Sequence, residues 1–178
     1  MFTGLSAFPL TPLDEDGLHK AALTRLVTRL AAAGVDSIAV LGSTGSYAYL
    51  TREERARVAR IAMQAASGTP VIVGIGALRT RDVLQHADDA QTAGADAVLL
   101  APVSYQRLDD DEVFGLFEDV TARLDVPLAV YDNPVTTGFT FSDALHAAIA
   151  RLPHVGAIKL PGGDRLGTLR PLVPGHVA

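Results

Sequence analysis

The sequence contains no cysteine, which excludes disulfides, cysteine-ligated metal and thiol nucleophiles together. No apolar run approaches the roughly 20 residues that span a bilayer. Met1–Asp16 also lacks the positive region and apolar stretch of a secretion signal. A cytoplasmic location is the expectation left standing, with no membrane partner. The fifteen Lys and Arg are scattered rather than gathered into a basic stripe, and the net charge is −5; no nucleic-acid partner is expected. Lysine itself is scarce, with Lys20 and Lys159 alone. What the chain has in quantity is apolar surface: 48% of its 178 residues are hydrophobic, enough to bury the core of one domain.

Strand-like and helix-like segments alternate six times. The expected strands are Leu5–Phe8 (closed by Pro9 and Pro12), Ser37–Leu41, Val71–Ile75, Ala97–Leu100, Leu128–Tyr131 and Val155–Lys159. The first helix is expected over Leu18–Ala33, with Leu23, Leu26, Val27 and Leu30 at helical spacing after the turn Asp14–Gly17. Thr51 and Glu54 form a capping box for a second helix running to about Ser67, and Thr80 is read as the cap of a third that ends at Gly94. Asp109 and Glu112 repeat the box spacing before a helix to about Leu124. Ser142–Arg151 and Arg165–Leu172 complete the set.

No two strands are adjacent enough to form a hairpin, so the pairing is expected to be parallel with right-handed crossovers. Ala33-Gly34-Val35-Asp36 is echoed by Ala93-Gly94-Ala95-Asp96 sixty positions on. Such repeated units fit a TIM barrel or a doubly wound sheet. No Gly-x-Gly-x-x-Gly follows the first strand, and polar residues gather at several strand ends. The expected fold is therefore α/β, a TIM (β/α)8 barrel represented by six βα units.

Val155-Gly156-Ala157-Ile158-Lys159 concentrates the chemistry. Side chains alternate along a strand, so Val155, Ala157 and Lys159 are expected on one face, Gly156 and Ile158 on the other. If the small-residue face lines a barrel, Lys159 stands at its mouth, where barrel active sites lie. A strand-ending lysine ordinarily reaches for water. Here two other strand ends carry polar groups as well: Tyr131, sharing a face with Ala129, and Ser43 with Thr44 in Gly42-Ser43-Thr44-Gly45-Ser46. Taken singly, the glycine loop is a tight turn and Tyr131 a buried aromatic with a locally satisfied hydroxyl. An amine held among them, partly desolvated, is a candidate nucleophile.

These segments resemble the dihydrodipicolinate synthase and N-acetylneuraminate lyase family. Gly42-Ser43-Thr44-Gly45 is similar to its Gly-Ser/Thr-Thr-Gly-Glu loop, Tyr131-Asp132-Asn133-Pro134 to its Tyr-Asn-x-Pro, and Ala157-Ile158-Lys159 to the Gly-Ile-Lys of its Schiff-base lysine. Thr11-Pro12 and Leu50-Thr51-x-Glu-Glu also fit, in order, along the whole chain. The resemblance implies a class I aldolase or lyase acting on pyruvate or another 2-keto acid, with no cofactor beyond the lysine imine. It gives Lys159 the role of nucleophile and Tyr131 that of proton shuttle. Thr44 joins them at the catalytic centre, Ser43 and Thr44 hold the substrate carboxylate, and Tyr105 (or Ser104, by a one-residue shift) takes the place of a further family tyrosine. Family members form homo-oligomers.

The sequence also departs from the family. Ser46 replaces the loop glutamate, Asp132 the asparagine, and Leu160-Pro161-Gly162 the usual polar run after the lysine. Thr136 stands where lysine-pathway enzymes carry an arginine, which argues against their aldehyde substrate. Members run to nearly three hundred residues with eight βα units, so residues 1–178 are expected to form one TIM-barrel domain ending before strands 7 and 8 and the C-terminal helical region. The expectation is an open arc with exposed edges, little activity by itself, and a tendency to associate. Beside the aldolase reading stand two others: an inactive fragment, and a binding or regulatory protein on the same fold.

Overall fold

A computed structural model describes residues 2–15, 17–162 and 165–173. Six strands make one sheet: β1 (Ser6–Ala7), β4 (Ser37–Val40), β5 (Val71–Gly74), β6 (Ala97–Leu100), β7 (Leu128–Tyr131) and β8 (Val155–Lys159). They pair in that order and every pairing is parallel. A doubly wound sheet reverses its strand order partway; this one never does, so it curls into an arc of a TIM barrel. Among the described residues, the outer edges of β1 and β8 pair with no further strand.

The helices α1 (Lys20–Ala32), α2 (Arg52–Ala65), α3 (Thr80–Thr92), α4 (Asp110–Thr121), α5 (Pro134–Thr137), α6 (Asp143–Ile149) and α7 (Leu166–Leu169) follow the strands. None among the described residues is long and apolar enough to cross a membrane.

Two apolar layers result from strand alternation. Ile38, Val40, Val73, Val98, Leu100, Leu128, Val130 and Ile158 face the helices and meet Val27, Val58, Val83 and Phe117. Ala39, Ile72, Ala97, Leu99, Ala129, Tyr131 and Ala157 face the inside of the arc. Alanines recur along the inner face, on four of its strands (Ala39, Ala97, Ala129 and Ala157), which leaves room above it. Phe2 reaches across the arc from the β1 side. Its ring lies 3.0 Å from where a Cβ on Gly156 would be, so the glycine allows this close packing.

The Ala-Gly-x-Asp echo has a physical role. Gly34 and Gly94 take positive φ (74° and 88°) to end their helices. Each aspartate then caps the preceding parallel strand: Asp36 Oδ2 accepts from Leu5 N at 2.6 Å, and Asp96 Oδ2 from Val71 N at 2.8 Å. The capping boxes at Thr51–Glu54 and Asp109–Glu112 both form.

Four expectations need correction. Leu13–Asp14 (β2) and Gly17–Leu18 (β3) pair antiparallel, so a two-rung hairpin does exist around the Asp14–Gly17 turn. Thr80 is the first residue of α3 and not its cap; Arg79 holds that position without a side-chain bond. The last helix is one short turn, Leu166–Leu169, and not Arg165–Leu172. Finally, a register shift between β7 and β8 pairs Leu128 with Val155 but Ala129 with Ala157. The extra residue turns Val155 toward the helices, while Ala157 keeps to the inside.

Gly74 sets where the glycine loop sits. A Cβ there would overlap the Leu41 carbonyl, and Leu41 itself has φ 60°. Arg55 fixes the same region from below, donating to Gly74 O and Gly76 O at 2.9 Å each. Gly74→Ala is therefore expected to destabilise the fold by about 2 kcal/mol or more, the scale of an overpacked core. Urea unfolding midpoints would measure this.

Candidate active site

Tyr131 and Lys159 are register partners on neighbouring strands. Both follow an inward alanine, Ala129 and Ala157, so both project from the inner face at the C-terminal ends. Lys159 Nζ stands 3.9 Å from the centre of the Tyr131 ring and 5.1 Å from that of Phe8. The half-buried amine is thus flanked by two aromatic faces, which restrict its rotamers. Beneath it lies a cavity of about 220 Å³ floored by Ile72, Leu99, Ala129 and Ala157, with Phe2 and Ser6 on its β1 side.

The phenol of Tyr131 is 8% exposed and well supplied with donors. Asn133 Nδ2 donates to its Oη at 2.8 Å. Burial alone would raise its pKa. Hydrogen bonds from Ser43 and Asn133, with the charge and hydrogen bond of Lys159, outweigh that, and the group titrates below an ordinary tyrosine. Tyr47, nearby on the 3₁₀ turn Tyr47–Tyr49, moves the other way: burial raises its pKa against the opposing effect of Arg55. Environments that push two like groups apart mark their roles as distinct, and Tyr131 is the stronger acid of this pair.

Of the residues expected at the site, Lys159, Tyr131 and Ser43 come together. Thr44 does not join them through its side chain. Ser43 and Thr44 both lie exposed on the loop; of the two, only Ser43 contributes to lowering the Tyr131 pKa. The loop backbone keeps a resource of its own. Gly45 and Ser46 donate back to Gly42 and Ser43, whereas the N–H groups of Ser43 and Thr44 have no backbone acceptor among the described residues. Tyr105 is 95% exposed and Ser104 Oγ bonds to Gln106 O; neither enters the Lys159 cavity. Sequence reasoning missed Phe8 and Asn133. Asn133 had a signal, two positions from Tyr131 in a segment that cannot continue the strand. Phe8 had none, because only the closing of the arc brings it to Lys159.

A second cavity, about 490 Å³, lies beside α2 and α3 and is lined by Tyr47, Arg52, Arg55 and His86 among others. It holds no lysine among its described lining residues, and its Arg55 is occupied by carbonyls. Burial lowers the Arg55 pKa to about 10, leaving it charged at neutral pH, and lowers that of His86 to about 4, with Arg55 adding to the effect. A third, of about 290 Å³, adjoins Ser43 and is lined by Ser46, Tyr47, Val103 and Thr136.

Two measurements test these environments. Because Asn133 and Ser43 hold the Tyr131 pKa down, Asn133→Ala and Ser43→Ala should each move it upward. Titrating the ¹³Cζ signals of the four tyrosines would follow this. Because the fold keeps His86 neutral, the unfolded chain takes up its proton first as pH falls through about 6.5. Stability should therefore drop between pH 6.5 and about 4. His86→Gln should flatten that part of the curve of urea midpoint against pH.

The chain is similar to known proteins over almost its full length. The model of the "Dihydrodipicolinate synthetase family" matches residues 1–170. A 4-hydroxy-tetrahydrodipicolinate synthase of Salinibacter ruber is 33% identical over 168 residues, 92% of this chain and 55% of that protein. The crystal structure of a dihydrodipicolinate synthase from Agrobacterium tumefaciens superposes with TM-score 0.95 at 47% identity, covering 99% of this chain and 63% of the other. A prophage protein of the dihydrodipicolinic acid synthase family from E. coli K12, solved in complex with pyruvate, superposes with TM-score 0.92 at 29% identity, covering 98% of this chain and 60% of the other. The chain thus spans little more than half the length of the curated relative.

Proposed function

The chain belongs to the dihydrodipicolinate synthetase family, and on that premise we propose that it carries the imine-forming centre of a class I aldolase or lyase acting on pyruvate or another 2-keto acid. The observation that carries this reading is Lys159 Nζ held 3.9 Å over the Tyr131 ring, with Ser43 and Asn133 on the phenol. The pyruvate bound to the E. coli relative supports the substrate class.

In this reading the neutral amine of Lys159 adds to the keto carbon. The carbinolamine loses water, and a protonated imine remains. Tyr131 hands the carbinolamine oxygen the proton it leaves with. The cationic imine withdraws electrons, a proton or a carbon–carbon bond is lost from the neighbouring carbon, and an enamine forms. Tyr131 then exchanges protons with the group being made or broken. Its lowered pKa suits it to give up the proton, and the bonds from Ser43 and Asn133 stabilise the phenolate it becomes. The N–H groups of Ser43 and Thr44, which have no backbone acceptor among the described residues, are the proposed seat of the substrate carboxylate, where converging amides suit an anion. That gives Thr44 a part through its backbone. The chemistry calls for no cofactor.

The second substrate or product would lie toward Thr136. The cavity there is lined by hydroxyls and apolar groups, with no cationic side chain among the described lining residues. A carboxylated aldehyde has no countercharge at that wall, so we propose an uncharged aldehyde component.

Sodium borohydride with pyruvate, followed by intact mass, tests the reading. One reduced pyruvate per chain is expected, mapping to Lys159 and not to Lys20. Lys159→Ala should abolish the adduct. Tyr131→Phe should fold normally and slow its formation by roughly a hundredfold, the range of a positioned proton donor. An unmodified wild-type chain would favour the inactive or binding reading, and an adduct on the Lys159→Ala protein would move the nucleophile elsewhere.

A further inference from the structure

Directly behind the Lys159–Tyr131 rung lies a buried ionic cluster that the proposed chemistry does not use. Asp132 is 1% exposed. Its Oδ2 accepts from His146 Nε2 at 2.9 Å and from Arg165 Nη1 at 2.8 Å, while its backbone N donates to the Lys159 carbonyl at 3.0 Å. Arg165 also donates from Nη2 to Phe141 O at 3.0 Å and to Asp143 Oδ1 at 2.5 Å. The His146 ring, fully buried, stacks on Phe141 with centroids 4.5 Å apart.

We infer that Asp132 is a positioning residue for Lys159 and Tyr131, acting through Arg165 and His146. Asp132 adjoins Tyr131 in sequence and is bonded to the backbone of Lys159. Through Arg165 it also grips the chain six positions beyond Lys159, and through His146 it grips α6. Helix α6, the segment after Lys159 and the C-terminal flank of Tyr131 are thereby tied to one carboxylate. The cluster restrains the last rung of β8 from behind. A buried charge without partners is costly; Asp132 with its two partners therefore admits one arrangement of these segments, and any shift of the rung would separate them. A site displaced by about 1 Å can lose a hundredfold in rate.

The inference rests on the imine reading for its kinetic consequence but not for its geometry, and the two are tested separately. With lysine labelled at ¹³Cε the protein gives two signals, from Lys20 and Lys159, assigned with Lys20→Arg. The Tyr131 ring should shift the Lys159 signal upfield. Asp132→Asn and Arg165→Gln should return it toward that of Lys20 while circular dichroism shows a folded protein, and Arg165→Lys should restore part of the shift. Borohydride trapping by pyruvate should slow about tenfold to a hundredfold in the same two variants. Val83→Ala, a core change on α3, should lower the melting temperature and leave the Lys159 signal in place.

If Asp132→Asn does not fold, Arg165→Gln, at a partly exposed residue, decides alone. A Lys159 signal unmoved in the folded variants, or one that already coincides with Lys20 in the wild type, would overturn the inference. A wild type that shows the shifts but no trapping would keep the positioning role and remove the aldolase reading.

Discussion

The register between β7 and β8 governs the mouth of this arc. Side chains on a strand alternate with a period of two, so a slip of one residue exchanges the faces. The chain inserts one extra residue at the start of β8, pairing Leu128 with Val155 and then Ala129 with Ala157. Val155 can then join the helix-facing core while Ala157 and Lys159 stay inside. A regular ladder continued from Leu128–Val155 with the same sequence would pair Tyr131 with Ile158 and turn Lys159 toward the helices. The inward placement of the amine follows from this one irregularity at the base of β8.

The supports around that rung come from different elements and act on different atoms. Asn133 holds the phenol oxygen, and Ser43 helps to lower its pKa. Phe8 covers the far side of the amine. Gly74 and Arg55 set the height of the loop that carries Ser43. Asp132 holds the backbone behind. Polar groups of a reactive centre are thereby fixed by neighbours that are themselves fixed, the condition under which small displacements become expensive.

Much of this could be read from the sequence. Buried parallel strands are short, apolar and β-branched, so Val71–Gly74 and Leu128–Tyr131 stood out. Capping boxes are local and their partners three residues apart, and both formed as read. Tyr131 and Lys159 could be placed on the inner face because each follows an alanine two positions before. The misreadings share a cause in non-local packing. The glycine beside Val155 is the kind of residue that marks a bulge, but its position is decided by the partner strand. Thr80 has the right chemistry for a cap but sits one position inside the helix. Asp132 looked like a simple replacement for asparagine, because His146 and Arg165, which give its charge a purpose, lie 14 and 33 positions away. Phe8 read as the end of a strand until the arc brought it to Lys159.

Phe2 packing against Gly156 has a kinetic meaning. The strands of the sheet join neighbours close in sequence, as Ser6 with Ser37. The aromatic contact joins residues 154 positions apart. Closing that larger loop costs about 1.4 kcal/mol more in chain entropy than closing one of the size between β1 and β4. Neighbouring units can therefore assemble stepwise from any point along the ladder, and the ring of Phe2 docks after them. It acts as a late clasp between the two ends of the ladder, placed once the strands between them are already paired.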